Sequence, residues 1–286
     1  MNERAVPNVI MDYSKIKEIS IIGLLLLYKF IDYTYQNYCF KNPDMLVGDV
    51  IEDAWEKYEF EDLINRYILN KDITEQAYKK FKVKVDENFI IAPQPLLRST
   101  QYSSESLKNE FLPKLHKYYN NNEKIVQMLF TCLSEVLLNF WEHAVDDNRS
   151  IVVADGTKTK IEIACADTGS GLISSLKGNP KYEKLPHEYI LSKAFERGVT
   201  SKEKTHHMGY GLWIINEIVN RSKGKFHVYT EGFYYKNEYG KVKKGKCAYW
   251  KGTIIYIYLP LTKPTTFSDI LKTTSPNLSS IKVNFL

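Results

Sequence analysis

The stretch IVQMLFTCLSEVLLNFW, residues 125–141, is apolar on nearly every helical face; Glu135 is the single charged side chain within it, and Asn139 follows one turn later. A helix apolar on almost all sides is a buried one, and a buried carboxylate or amide needs a compensating partner. Glu135 and Asn139 stand four apart and so share one face. Carboxylate and amide oxygens suit a hard cation such as magnesium, which makes this face a candidate for holding a metal ion and the water beside it. The alternative is a polar pair satisfied inside a core by backbone groups or ordered water.

Order along the chain separates the two. After the helix come two strand-like runs, residues 150–154 and 160–166, joined by the turn Asp155-Gly156. The second run ends in Asp167-Thr168-Gly169-Ser170-Gly171, an acid at a strand end followed by two glycines that let backbone approach a ligand. About forty residues on, Gly209-Tyr210-Gly211-Leu212 opens a second apolar helix, 213–219. Glycines at a helix start bare backbone N–H groups, and the helix dipole there favours phosphate. Gly252-Thr253 then starts a last strand, 254–259, closed by Pro260.

With these residues in place the sequence resembles the GHKL ATP-binding fold of gyrase, the heat-shock chaperone, sensor histidine kinases and MutL. The boxes are Glu135-x-x-x-Asn139, Asp167-x-Gly169-x-Gly171, Gly209-x-Gly211-Leu212 and Gly252-Thr253, over roughly residues 86–261. The resemblance implies an α/β protein with a C-terminal two-layer α/β sandwich of the Bergerat type, a mixed sheet covered by helices. It implies ATP and Mg2+ as cofactors, with Asn139 coordinating the magnesium that bridges the phosphates. Glu135 would orient or deprotonate the attacking water, a general-base role worth ~10²–10⁴ in rate. Asp167 would accept a hydrogen bond from the adenine amino group, with Gly169 and Gly171 leaving room for the base. Gly209 and Gly211 would offer backbone donors to the phosphates. Thr253 would support Asp167 and adenine through a water.

Residues 172–208, rich in Lys, Gly and Pro, correspond in the family to a lid that closes over the nucleotide. Lys202 and Lys204 are its best-placed cations for the γ-phosphate, solvated surface lysines being the competing reading. His206 and His207 adjoin the glycine box but have no Cys or acid at ligand spacing, which speaks against a metal site. Asp167-Thr168-Gly169 is also how an aspartic protease presents its catalytic acid. That enzyme needs two such carboxylates, and no second Asp-Thr-Gly or Asp-Ser-Gly occurs.

The 286 residues suit about two domains, and 44% hydrophobic content with 21 tyrosines fits an ordinary core. A net charge of +5 gives no global affinity for nucleic acid or membrane. Cysteines 39, 132, 165 and 247 form no close pair in sequence, as in a reducing compartment. The apolar run 19–30 is interrupted by Lys29 and is too short to span a bilayer. With no signal-peptide layout, a cytoplasmic protein without a membrane anchor is expected.

Residues 1–80 read as a small α/β domain: a short strand at 9–11, a turn at 12–14, an apolar helix at 19–33, a break at Asn42-Pro43 and a helical pattern over 51–68. This order, with Gly23-Leu24 opening the helix, resembles STAS-like domains that accompany GHKL kinases in anti-sigma switches. The family's phosphoacceptor serine falls here on Ile21 or Ile22, and Ser20 reads better as a helix N-cap. The charged segment 72–88 is expected to include a helix, residues 81–106 read as a connector with an extended run over 89–97, and 107–119 has helical core spacing. The ATP-binding unit covers 107–262 and a Ser/Thr-rich tail 263–286. Residues 233–251 hold six lysines against one Glu, interleaved with aromatics. Such a mix can track nucleic acid, but a solvated hairpin whose lysines discourage edge pairing is the favoured reading.

Three functions fit such a site: a regulatory ATPase switch, a protein kinase, and a passive nucleotide-binding module. The alternative to the ATPase is a serine kinase of the anti-sigma-factor type acting on a separate partner. His116 lies too close to Glu135 for the separate phosphoacceptor helix of a histidine autokinase. A protein partner is expected, and dimerisation is common in the family, though no residue demonstrates a homodimer.

Overall fold

The strands of the central sheet run β3-β4-β5-β6-β10-β7-β8-β9 in space, in a computed structural model that describes residues 10–37, 44–64, 82–96, 104–143, 150–201 and 209–274. The chain begins with β1 (Ile10–Tyr13), α1 (Ile21–Asn37), β2 (Asp44–Val47), α2 (Asp49–Tyr58) and α3 (Phe60–Leu63). It continues through β3 (Val83–Val85), β4 (Phe89–Pro95), α4 (Ser104–Tyr118), α5 (Glu123–His143), β5 (Ile151–Gly156) and β6 (Lys160–Ala166). The remainder is α6 (Leu172–Lys177), α7 (His187–Lys193), α8 (Gly211–Ser222), β7 (Lys225–Thr230), β8 (Phe233–Glu238), β9 (Lys241–Lys246), β10 (Thr253–Pro260) and α9 (Phe267–Thr274).

Every described pairing in the large sheet is antiparallel, where a mixed sheet was expected. The cause is the last strand. β6 and β7 run the same way, as strands joined through helices do, but β10 inserts between them, with Ile254 opposite both Ala166 and Tyr229. Parallel pairing among the described residues is confined to β1 and β2.

Period-two alternation along the central strands builds two cores. Val152 and Ala154 of β5 and Ile163 and Cys165 of β6 face the layer of α4, α5 and α8, where Val126, Leu129, Leu133, Val136 and Phe140 are buried. Ile151, Val153, Ala164 and Ala166 face the opposite way, onto Leu24, Leu25 and Tyr28 of α1. The two alanines on that face let α1 lie close to the sheet, so the N-terminal helix forms a third layer. Tyr58 Oη and Lys57 Nζ both bind Asp155 Oδ2, at 2.5 and 2.6 Å, tying α2 to the end of β5, where Asp155 and Gly156 pair with β6 instead of forming the turn expected there. Burial, reinforced by Asp155, pushes the Tyr58 phenol far up.

The buried helix expected over 125–141 is α5, entered through Asn122, whose Oδ1 accepts the Ile125 N–H at 3.3 Å. The helix read over 51–68 breaks at Glu59, which takes a left-handed φ of 57°; the part beyond residue 64 lies outside the described residues. Within the span read as a connector, β3 and β4 extend the sheet; the helix expected within 72–88 is not found over 82–88, and residues 72–81 lie outside the described residues. The lysine-rich segment is a hairpin: Tyr239 and Gly240 turn with φ of 56° and 86°, and Lys241, Lys243, Lys244 and Lys246 stand exposed on the edge strand β9. No helix of the described residues is long and apolar enough to cross a membrane.

Leu25 is fully buried against the sheet. If α1 is integral to the fold, Leu25→Ala should lower unfolding free energy by about 2–5 kcal/mol in urea denaturation while leaving a single transition.

Candidate functional site

Glu135 and Asn139 lie half-buried on the one polar face of α5, and the start of α8 is pressed against them. A Cβ at Gly211 would stand 2.6 Å from Glu135 Oε2 and 3.4 Å from Asn139 Nδ2. Any side chain at that position would displace the carboxylate, so glycine is what allows the helix start and the acid to share this space. Tyr210, at the N-cap, makes no side-chain capping bond. The first-turn N–H groups of this twelve-residue helix therefore face an oriented positive end of the helix dipole. The Asn139 amide nitrogen is buried and has no hydrogen-bond partner among the described residues. About one turn before Glu135 the Cys132 thiol is buried, and burial together with the Glu135 charge pushes it up, so it stays protonated.

Asp167 sits just past β6 and is buried at 4% exposure. Its Oδ1 accepts the Gly169 N–H at 2.7 Å and its Oδ2 the Thr253 N–H at 3.1 Å. The Asp167 N–H in turn donates to the Thr253 carbonyl at 3.0 Å. Thr253 thus stands beside Asp167 through its backbone. Gly252 fits because a Cβ there would run into the Asp167 carboxylate and carbonyl. The two-carboxylate sharing that an aspartic protease requires contrasts with these paired backbone donors.

Gly171 takes a φ of 79°, and the space its side chain would fill is occupied by the Glu231 carboxylate. Glu231 Oε2 accepts the N–H groups of Ile173 and Ser174 at 2.8 and 3.0 Å, closing the start of α6. The space that a side chain at Gly171 would need is therefore taken by an acid from the β7–β8 turn.

Gly209 has a φ of 67°, and its carbonyl accepts the Gly198 N–H at 3.0 Å. The turn at 196–199 is thus fastened to the glycine box. Ile173, Leu176, Tyr182, Ile190, Leu191 and Phe195 are buried, so much of the stretch expected to be a lid is anchored in the core. Lys202, Lys204, His206 and His207 lie outside the described residues. Leu212 follows Gly211 on α8 and packs half-buried on the main core. Sequence reasoning passed over Arg197, whose guanidinium lies 5.2 Å from the Tyr210 ring and 5.4 Å from that of Trp213 at the start of α8. It also passed over Trp250, whose Nε1–H donates to the Asp167 carbonyl at 2.6 Å. Neither belongs to a box: Trp250 stands two residues before Gly252-Thr253, but only the fold brings its indole to Asp167 and the Arg197 guanidinium to the start of α8.

Comparison with known proteins agrees with this geometry. Residues 125–263 match the family described as histidine kinase-, DNA gyrase B-, and HSP90-like ATPase. That segment is a GHKL-type ATPase domain. The chain is also 22% identical over 173 residues to proteins named histidine protein kinase SaeS from Staphylococcus aureus strains RF122/ET3-1, MSSA476 and MRSA252. Each match covers 60% of this chain and 45% of the relative, so the chain spans about half the length of the curated relatives it matches.

Gly252→Ala should lower the urea midpoint by an amount equivalent to about 1–3 kcal/mol, because the methyl meets backbone as well as carboxylate. Gly178→Ala, where the nearest atom to a Cβ is Ser175 O at 3.3 Å, is the control and should change stability far less.

Proposed function

We propose that this chain is a magnesium-dependent ATP-binding regulatory protein that hydrolyses ATP slowly or uses it as a conformational switch. The observation that carries the reading is the contact of Gly211 with Glu135 and Asn139, which joins the carboxylate–amide face of α5 to an uncapped helix start inside a GHKL-type domain. In this reading residues 107–262 form the nucleotide-binding unit, and the elements of 1–80 serve it as a regulatory layer.

Each residue then has a task. Asp167 accepts the adenine amino group, its carboxylate held in place by the Gly169 and Thr253 N–H groups. Gly209 and Gly211 leave backbone donors open to phosphate, and Leu212 lies beside them. Lys202 and Lys204 meet the γ-phosphate when the segment carrying them closes. The unpartnered Asn139 amide fits a hard cation once its oxygen is turned toward the ion, an orientation that amide assignment leaves free. Magnesium held there would neutralise charge on the phosphate oxygens. Glu135 orients the attacking water and takes its proton.

A second reading is a protein kinase, favoured by the name of the relatives, histidine protein kinase. His116 is a poor acceptor in such a scheme, since α4 packs on α5 within the domain core and His116 Nδ1 lies 3.8 Å from Glu123. A serine kinase of the anti-sigma-factor type would instead act on a separate protein. Either activity suits a cytoplasmic protein that works through a protein partner or as a homodimer.

Calorimetry with MgATP and a phosphate-release assay test the reading. Asp167→Asn and Asn139→Ala should each weaken ATP binding at least about tenfold, the scale of one charge-assisted contact. Glu135→Ala should keep ATP bound while turnover falls by ~10²–10⁴. Wild-type turnover in Glu135→Ala would refute its role, and label passing from ATP to a partner would select the kinase.

A further inference from the structure

One side chain ties the back-face core of the molecule to the loop that carries Asp167. The loop between β9 and β10 returns across the end of β6, where the strand ladder has stopped and Asp167 begins the glycine-bearing loop. There Trp250 is fixed by its backbone, its carbonyl accepting the Glu231 N–H at 2.8 Å. Its indole Nε1–H donates to the Asp167 carbonyl at 2.6 Å. Thr230 Oγ1 binds the Gly252 carbonyl at 2.9 Å, and the next N–H, from Thr253, reaches the Asp167 carboxylate at 3.1 Å. Asp167 is thus gripped at its main chain by the indole and at its side chain by β10.

The same indole packs half-buried against the back-face core, the one that Leu24, Leu25 and Tyr28 of α1 build with Ala164, Ala166 and Ile254. Phenylalanine could occupy much of that volume, but it has no ring N–H to offer the carbonyl. Tryptophan satisfies both demands at once. The phosphate end of the site, at Gly211 and Asn139, is built on the other face by α5 and α8.

We propose that Trp250 is a positioning residue for Asp167 and that through it the packing of α1 sets nucleobase recognition from the far side of the sheet. This rests on the ATP-site reading above and specifies how that site is regulated. A partner that shifts α1 then changes affinity for the base and leaves the phosphate contacts alone.

The test uses the full chain and compares binding of MgATP with that of magnesium tripolyphosphate, which has the phosphates and no base. Trp250→Phe is expected to lose about tenfold in ATP affinity, the scale of one hydrogen bond to a held group, with tripolyphosphate binding unchanged. Leu25→Val, which alters only α1 packing, should shift ATP affinity at least about threefold in the same selective way. With 5-fluorotryptophan in place of the four tryptophans, the fluorine resonance missing from Trp250→Phe should move on adding MgATP and in Leu25→Val. It should stay put with tripolyphosphate. Equal losses for both ligands in Trp250→Phe would mean a merely structural role and overturn the proposal, as would unchanged ATP binding. If Trp250→Phe does not fold, unchanged ligand selectivity in Leu25→Val overturns it alone. A wild-type chain that binds tripolyphosphate but not ATP, or neither, would refute the ATP site itself; wild-type ATP binding with unaffected variants would refute only the role of Trp250.

Discussion

The close approach of α8 to the polar face of α5 is the constraint on which the rest of the site depends. Gly211 leaves room for the Glu135 carboxylate where any side chain would displace it. Because Cys132, Leu133, Val136, Leu137 and Phe140 around them on α5 are apolar and buried, the acid and amide face the polar gap beside them, the uncapped start of α8. Oriented N–H groups, a carboxylate and an unpartnered amide then converge without an opposing side chain between them. Under the proposed function, an anion bearing a hard cation would be the ligand that suits this arrangement.

A second constraint acts at the strand ends. β10 fills the gap between two strands that run the same way, and its first residues deliver both a backbone donor to Asp167 and a glycine that tolerates the carboxylate. The acid that ends β6 is therefore positioned by the last strand of the sheet, far away in sequence. Glu231 and Trp250, from a turn and a loop on either side of this junction, complete the support. The surroundings of Asp167 are in this sense a product of sheet order.

The back of the sheet is covered as well. Ala164 and Ala166 present a shallow surface on which α1 lies with Leu24, Leu25 and Tyr28 inward, so a two-layer sandwich acquires a third layer. Small residues on one face and larger ones on the other are what allow a central strand to be buried on both sides. The exposed edge at β9 is guarded by lysines instead, which hinder pairing with another strand.

The sequence by itself determined what is local: the apolar helix with one acid and one amide, the acid at a strand end, the glycine pairs, and the lysine-rich hairpin interleaved with aromatics. These were legible because helix and strand periods, turn glycines and buried polar groups are written in neighbouring residues. Tertiary structure alone decided the antiparallel insertion of β10, the placement of β3 and β4 in the sheet, α1 as a third layer, the filling of the space at Gly171 by Glu231, and the grip of Trp250 on Asp167. Each of these joins residues separated by tens of positions, and their pairing follows from which surfaces bury one another when the chain closes, a global choice that no local period encodes.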